Sequence, residues 1–302
     1  MRLTPQQIDE FNTSGAIIAK NVLTHEDLEP VIDEIREFID TRALELKAEG
    51  KIENLYEDEP FETRFGRLFE QSSEIGSGLD IMQYQGQAVF EFLHNKNLLD
   101  VIECLVGPEI TCSPIQHLRP TPPIKYYQNN NPAAHVGPLH QDAGVMMPEA
   151  ENSNVITCWL PLGDATVEMG CLEVLKGVVG TGYLRHQPEG GTSVASEVLP
   201  DIEPTPMACQ RGDLVLMSRF TPHRGMPNVS DKCRWSMDLR YQPTGQHTGR
   251  TGHPAFAVRS QSPESISGDG FCTYGMIDHA EWCRLWIDAF ENPKGVVTHR
   301  HD

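Results

Sequence analysis

A chain of 302 residues with 39% hydrophobic and 22% charged residues can bury a sizeable core, and it has the composition of neither a disordered nor a membrane-embedded protein. Its 24 basic residues stand against 43 acidic ones, a net charge of −19 that argues against nucleic-acid and anionic-membrane partners. No apolar run reaches membrane-span length, the start Met-Arg-Leu-Thr-Pro-Gln-Gln has no apolar leader core, and the eight cysteines form no CxxC pair; the sequence reads as a reduced, cytoplasmic protein, with homo-oligomerisation left open.

In chain order, Thr4-Pro5-Gln6-Gln7 predicts a capping box with proline at the first helical position, opening a helix that runs to about Thr13 and stops at Gly15. Ala16–Ala19 reads as a short strand. A second helix starts near Thr24, because Leu28, Val31, Ile32, Ile35, Phe38 and Ile39 recur at the spacing of one buried face. Residues 50–85 read as acidic and irregular, and a single helix is expected from about Gln87 to Val106, ending at Gly107-Pro108. The pattern then changes to short apolar runs separated by Gly, Pro and Asn: Ile110–Leu118, Val155–Leu162, Cys171–Leu175, Leu214–Met217 and Arg234–Tyr241. Such runs signal a β-sandwich or barrel. Pro120–Pro138 reads as a long functional loop, and a last helix is expected around Asp278–Phe290. The expectation is one domain of α+β class with a mainly β core: a helical layer over about 1–108, the core over about 109–245 and a C-terminal extension over 246–302.

Charge is distributed unevenly. Residues 1–109 carry 23 acids and 9 bases, whereas 110–141 contain no acid but include Arg119 and Lys125, and 232–259 hold five bases against Asp238 alone. Two locally positive segments in an acidic chain suggest a pocket for a small anion.

Two His-x-Asp pairs occur, and about one is expected by chance among twelve histidines. His25-x-Asp27 falls in the first turn of a predicted helix, where residues i and i+2 diverge, so these two read as capping and dipole residues. His140-x-Asp142 lies on extended chain, where i and i+2 point the same way and can hold one metal ion. His223, at a turn after the strand ending at Met217, is the candidate third ligand; two histidines and one carboxylate form the facial triad of non-haem Fe(II) oxygenases. Zinc hydrolases often set such ligands in a helical HExxH, which is absent. Eleven residues on, Arg234 to Tyr241 alternates, with Arg234, Ser236, Asp238 and Arg240 on one face, and a guanidinium beside a hydroxyl can grip a carboxylate.

His140-x-Asp142, His223 and Arg234-x-Ser236 together resemble the phytanoyl-CoA dioxygenase-like branch of the Fe(II)/2-oxoglutarate oxygenases. Leu3-Thr4 to Asn21-Val22-Leu23, Trp159, Gly170-Cys171-Leu172-Glu173-Val174 and Pro227-Asn228-x-Ser230 are similar to that branch too. The resemblance implies a double-stranded β-helix, a jelly-roll or cupin-like barrel with flanking N-terminal helices. It also implies Fe(II) on His140, Asp142 and His223, O2 as oxidant, and 2-oxoglutarate held through its distal carboxylate by Arg234 and Ser236. Gln116 is the carry-over for the keto-acid end and Trp159 for a cosubstrate wall. The implied activity is C–H hydroxylation of a small molecule, with Asp142 disfavouring halogenation because it fills the position that chloride would need. Leu139 stands where the branch often has Trp, and Leu175-Lys176-Gly177 where it often has Pro-Gly-Ser-His; these departures bear on the substrate. Lys125, Tyr126, His135 and Arg250 are substrate-contact candidates, while His117 and His186 read as structural. Desaturation, epoxidation or rearrangement at the same iron, a non-catalytic binding barrel, and a zinc or nickel cupin are the alternatives.

Overall fold

Thr4 starts the first helix by the expected device: its hydroxyl accepts from the Gln7 amide at 3.2 Å, and the Gln7 side chain accepts from the Thr4 amide at 2.9 Å. The computed structural model describes residues 1–127, 136–188, 191–262 and 273–293. Helix α1 (Pro5–Ser14) ends at Gly15 with φ 78°, and β1 (Ala16–Ala19) follows. Thr24 and Asp27 form a second capping box at the start of α2 (His25–Ala48). Asp27 is thus a capping residue, and it also accepts from the Asn95 and Asn97 side chains at 2.7 and 2.9 Å.

Three sequence expectations change here. The stretch read as irregular contains α3 (Phe61–Gln71), whose Phe65 and Leu68 are buried on one face. Gly66, a poor helix former, is needed inside it because a Cβ there would lie 2.8 Å from Cε2 of Tyr126. The single helix expected over 87–106 is two, α4 (Gln87–Leu93) and α5 (Lys96–Val106). Asn95 breaks it by accepting from the Leu98 amide at 3.0 Å, a local side-chain bond that competes with helix continuation. The run Ile110–Leu118 divides into β2 (Ile110–Cys112) and β3 (His117–Thr121) around Pro114.

The remaining strands are β4 (Ile156–Pro161), β5 (Leu172–Val174), β6 (His186–Pro188), β7 (Thr192–Val194), β8 (Thr205–Pro206), β9 (Leu214–Ser218), β10 (His223–Gly225), β11 (Arg234–Pro243), β12 (Ala255–Arg259) and β13 (Thr273–Tyr274), before α6 (His279–Glu291). Eight strands form one sheet in the order β1-β9-β4-β11-β2-β12-β13, with β3 also on β11; all pairings but β12–β13 are antiparallel. β1 and β12 enter this sheet from outside residues 109–245. A second sheet runs β10-β5-β8, and β6 pairs with β7. The core is thus a mainly antiparallel β structure.

Central strand β11 is buried on both sides. Trp235, Met237, Leu239 and Tyr241 join the helical layer in one core, with Ile32, Ile35 and Ile102 among its members. The opposite face carries Arg234, Ser236, Asp238 and Arg240, which line a cavity together with residues of β4, β9, β5 and β10. That polar face is therefore internal, not solvated. The seven described cysteines are unpaired, and burial pushes the Cys209 thiol up to about 12. No helix among the described residues is long and apolar enough to cross a membrane.

Candidate active site

His140 and His223 meet through the backbone. Each donates its amide to the other's carbonyl, at 3.1 and 2.9 Å, a two-residue antiparallel bridge that sets both imidazoles on one side with ring centroids 4.5 Å apart. His140 Nδ1 bonds the Pro138 carbonyl and His223 Nδ1 the Thr221 carbonyl, both at 2.9 Å. A carbonyl only accepts, so in both rings Nδ1 carries the hydrogen and Nε2 keeps the lone pair that a metal needs. Burial, then the neighbouring His223, pushes His140 down to about 4, which keeps it neutral and able to coordinate.

Between the first two candidate ligands, Gln141 points the other way, as residue i+1 must on extended chain. Its side chain donates to the carbonyls of Gly182 and Phe220 at 2.9 and 2.7 Å, and its amide donates to Nε2 of buried His186 at 3.1 Å. Asp142 opens a short 3-10 turn that brings its carboxylate back beside the histidines. One ligand atom from each of His140, Asp142 and His223 lies within 4.8 Å of the others, the geometry of a three-ligand metal site.

Asp142 is almost wholly buried, and both of its oxygens are engaged. Oδ1 accepts from Arg240 at 2.5 Å and Oδ2 accepts from the Thr157 hydroxyl. Burial alone would raise its pKa, but the Arg240 guanidinium holds it well below the usual carboxylate range. Arg240 is held in turn: its NH1 donates to the Ile115 carbonyl at 3.2 Å, and Gln116 accepts from its amide at 2.9 Å.

Further along the same strand face, Arg234 is 6% exposed. Its NH1 donates to the Ser236 hydroxyl at 2.6 Å, its NH2 donates to the Thr121 hydroxyl at 2.8 Å, and its guanidinium lies 5.3 Å from the Trp159 ring centre. No carboxylate is ion-paired to it among the described residues, its Nε lacks an acceptor, and burial pushes its pKa down. A buried charge without a counter-charge is costly, and a bound carboxylate would supply one. Arg234, Ser236, Thr121, Trp159, His140 and His223 all line the same cavity of about 570 Å³.

Other candidates fall elsewhere. The Gln116 side chain donates to the Ser113 and Arg240 carbonyls at 2.7 and 2.9 Å and does not line the cavity, so it braces Arg240. Lys125 is exposed with its Nζ 4.9 Å from the Tyr126 ring centre, Tyr126 packs on Gly66, and neither lines the cavity, whereas Tyr127 does. Arg250 is buried with its Nε on the Val145 carbonyl at 2.7 Å, outside the lining. His135 lies outside the described residues. His117 bonds Asp80 at 2.8 Å and His186 serves Gln141, both structural contacts. Sequence reasoning missed Arg240, Thr157 and Thr121. Arg240 and Thr157 could have been found by period two, from Arg234 and Ser236 and from Trp159; Thr121 depends on the β3–β11 register, which leaves no sequence signal.

A 2-aminoethylphosphonate dioxygenase from the uncultured bacterium HF130_AEPn_1 is 24% identical over 194 residues, 63% of this chain and 69% of that protein. A phytanoyl-CoA dioxygenase domain-containing protein 1 homologue from Dictyostelium discoideum is 22% identical over 80% of this chain and 92% of its own. The solved structure of a non-heme monooxygenase, ThoJ in its apo form, shares the fold with a TM-score of 0.63 at 16% identity, covering 94% of this chain and 93% of that one. The profile of the phytanoyl-CoA dioxygenase family, PhyH, matches residues 11–236, three quarters of the chain. On that match the chain belongs to the phytanoyl-CoA dioxygenase family of oxygenases.

Proposed function

We propose that this protein is a non-haem Fe(II)- and 2-oxoglutarate-dependent dioxygenase that hydroxylates a C–H bond of a small molecule, its site set in a double-stranded β-helix formed by the two main sheets. The observation that carries the reading is the pairing, in one cavity, of an open three-ligand cluster with a buried arginine that has no carboxylate partner. His140, Asp142 and His223 would hold the metal; Arg234, Ser236 and Thr121 would hold the distal carboxylate of the cosubstrate, with Trp159 as its wall.

Iron(II) on the three metal ligands, with 2-oxoglutarate anchored at Arg234, would supply the oxidising chemistry, with O2 as oxidant and the keto acid leaving as succinate and carbon dioxide. The chain supplies position and charge. His140, Asp142 and His223 would hold the metal by three ligands and leave adjacent positions for the keto acid and O2. Arg240 and Thr157 fix the Asp142 carboxylate from both oxygens, so its orientation is set before a metal arrives. Arg234 gives the cosubstrate one orientation through a planar donor pair. Trp159, Met217 and Leu172 make that end of the cavity apolar and keep water from it.

The test is substrate-independent. Purified protein supplied with Fe(II), O2 and 2-oxoglutarate is expected to release succinate slowly, and His140→Ala and Asp142→Ala to abolish that release while remaining folded. Iron-loaded protein that turns over no 2-oxoglutarate, even uncoupled, contradicts the proposal.

A further inference from the structure

Resting on that reading of the cavity, we infer that the substrate is an uncharged small molecule, because the chain's own carboxylates occupy the arginines that an anionic substrate would need. Among the described residues, four arginines line the cavity: Arg119, Arg224, Arg234 and Arg240. Arg119 donates to Asp238 at 3.1 Å, Arg224 to Glu173 at 2.5 Å, and Arg240 to Asp142 at 2.5 Å. Arg234 alone among them has no ion-pair partner in the described residues, and the proposed cosubstrate takes it. The other charged residues of the described lining, Asp80 and Asp238, are acids, and burial lowers the pKa of His117, the partner of Asp80. Four arginines therefore face four carboxylates, Asp80, Asp142, Glu173 and Asp238. A divalent metal and a dianionic cosubstrate leave that balance unchanged.

Residues 128–135, 189–190 and 263–272 contain no lysine or arginine, so outside the described residues the chain holds only Lys294 and Arg300. Of the bases in the two locally positive segments, Arg119, Arg234 and Arg240 reach the cavity; Arg259 pairs with Asp100 and Glu103 instead. An anion that took Arg119 or Arg224 would leave Asp238 or Glu173 uncompensated in or behind the wall. The net charge of −19 adds a long-range field that slows the approach of anions. Leu79, Leu118, Tyr127 and Met226 supply apolar wall for what remains of the cavity. The inference runs against carrying a phosphonate substrate over from the 2-aminoethylphosphonate dioxygenase relative.

The experiment uses the full chain loaded anaerobically with Fe(II) and 2-oxoglutarate, and four probes: cyclohexylmethanol, cyclohexanecarboxylate, cyclohexylmethylamine and methylphosphonate. The readouts are displacement of the visible charge-transfer band and, after admitting air, the rate of succinate release. The alcohol is expected to shift the band and accelerate release, while the carboxylate and the phosphonate do neither. Glu173→Gln, which frees Arg224, and Asp238→Asn, which frees Arg119, are each expected to tighten the carboxylate response by about tenfold. A wild-type response to carboxylate or phosphonate as strong as that to the alcohol overturns the inference. So does a preference for the amine, which would mean a cationic substrate, and so does silence to all four probes with no gain in either variant. Absence of the band before any probe is added is a different failure, that of the iron and 2-oxoglutarate reading itself.

Discussion

Arg240 and Asp142 form an ion pair at 2.5 Å with both side chains almost fully buried, 5% and 1% exposed, and it ties the strand that carries Arg234 to the candidate ligand Asp142. Gln116 braces Arg240 from behind through both its amide and its carbonyl. The proposed cosubstrate anchor and the proposed metal ligand thus share one hydrogen-bonded frame, so damage to that frame should register at the metal.

Replacing Arg240 by methionine leaves a buried carboxylate with only the Thr157 hydroxyl. Urea unfolding of the metal-free variant at neutral pH should show a loss of about 3–5 kcal/mol, as for other broken buried pairs. Cobalt(II) should restore part of it, since a cation replaces the missing charge. A loss below about 1 kcal/mol, the worth of an exposed pair, would mean that the two groups are not coupled as described.

Arg234→Ala should raise the 2-oxoglutarate Michaelis constant by about a hundredfold, the equivalent of about 3 kcal/mol of charge-assisted hydrogen bonding. Iron affinity should stay within about threefold, because Arg234 makes no contact with the ligand cluster. Parallel titrations of metal and keto acid separate the two effects. Equal loss of both rules out an anchoring role.

Gly144→Ala probes the turn behind the ligands. A Cβ there would lie 2.6 Å from Cδ2 of His186, whose Nε2 accepts from the Gln141 amide between the two ligands. The ring cannot swing away, because it is buried, so the turn must shift. We expect metal affinity to fall about tenfold or more with the fold retained, measured by metal titration alongside circular dichroism. Unchanged affinity would show that the turn tolerates the shift.

His94, at the break between α4 and α5, is half-buried against Phe90 and Phe256, and that burial lowers its pKa below the ordinary 6.5. The folded state then binds fewer protons than the unfolded chain on the acid side of 6.5. Its contribution is present in full above that pH and is lost progressively as pH falls below it, through the depressed folded value. His94→Gln should reduce the slope of unfolding free energy against pH just below 6.5 by up to about one proton. An unchanged slope would place the acid sensitivity elsewhere.

Much of the frame was legible because local rules govern it. The Thr4 capping box, Gly15, the helix start near Thr24, the strand alternation over Arg234–Tyr241 and the final helix follow from residue type and spacing, and the structure agrees. Failures came where a distant partner decided the outcome. Gly66 sits in a helix because Tyr126 packs on it, and Asn95 ends a helix while bonding Asp27 far back in the chain. At the site, the spacing of His140, Asp142, His223, Arg234 and Ser236 marked five side chains that the fold gathers around one cavity. Arg240 lay on the same strand face and went unassigned, since nothing in sequence pairs it with Asp142. Gln116, taken from resemblance, is turned into the protein by the division of β2 from β3.

The central claim is a metal and a keto acid bound together, and the direct measurement is an anaerobic titration of metal-free protein with Fe(II) and then 2-oxoglutarate, recorded in the visible range. A weak charge-transfer band should appear only with both present. It should be lost in His140→Ala and Asp142→Ala, and Arg234→Ala should require far more keto acid to develop it. Folded, iron-loaded wild-type protein that shows no band at saturating 2-oxoglutarate would contradict the account.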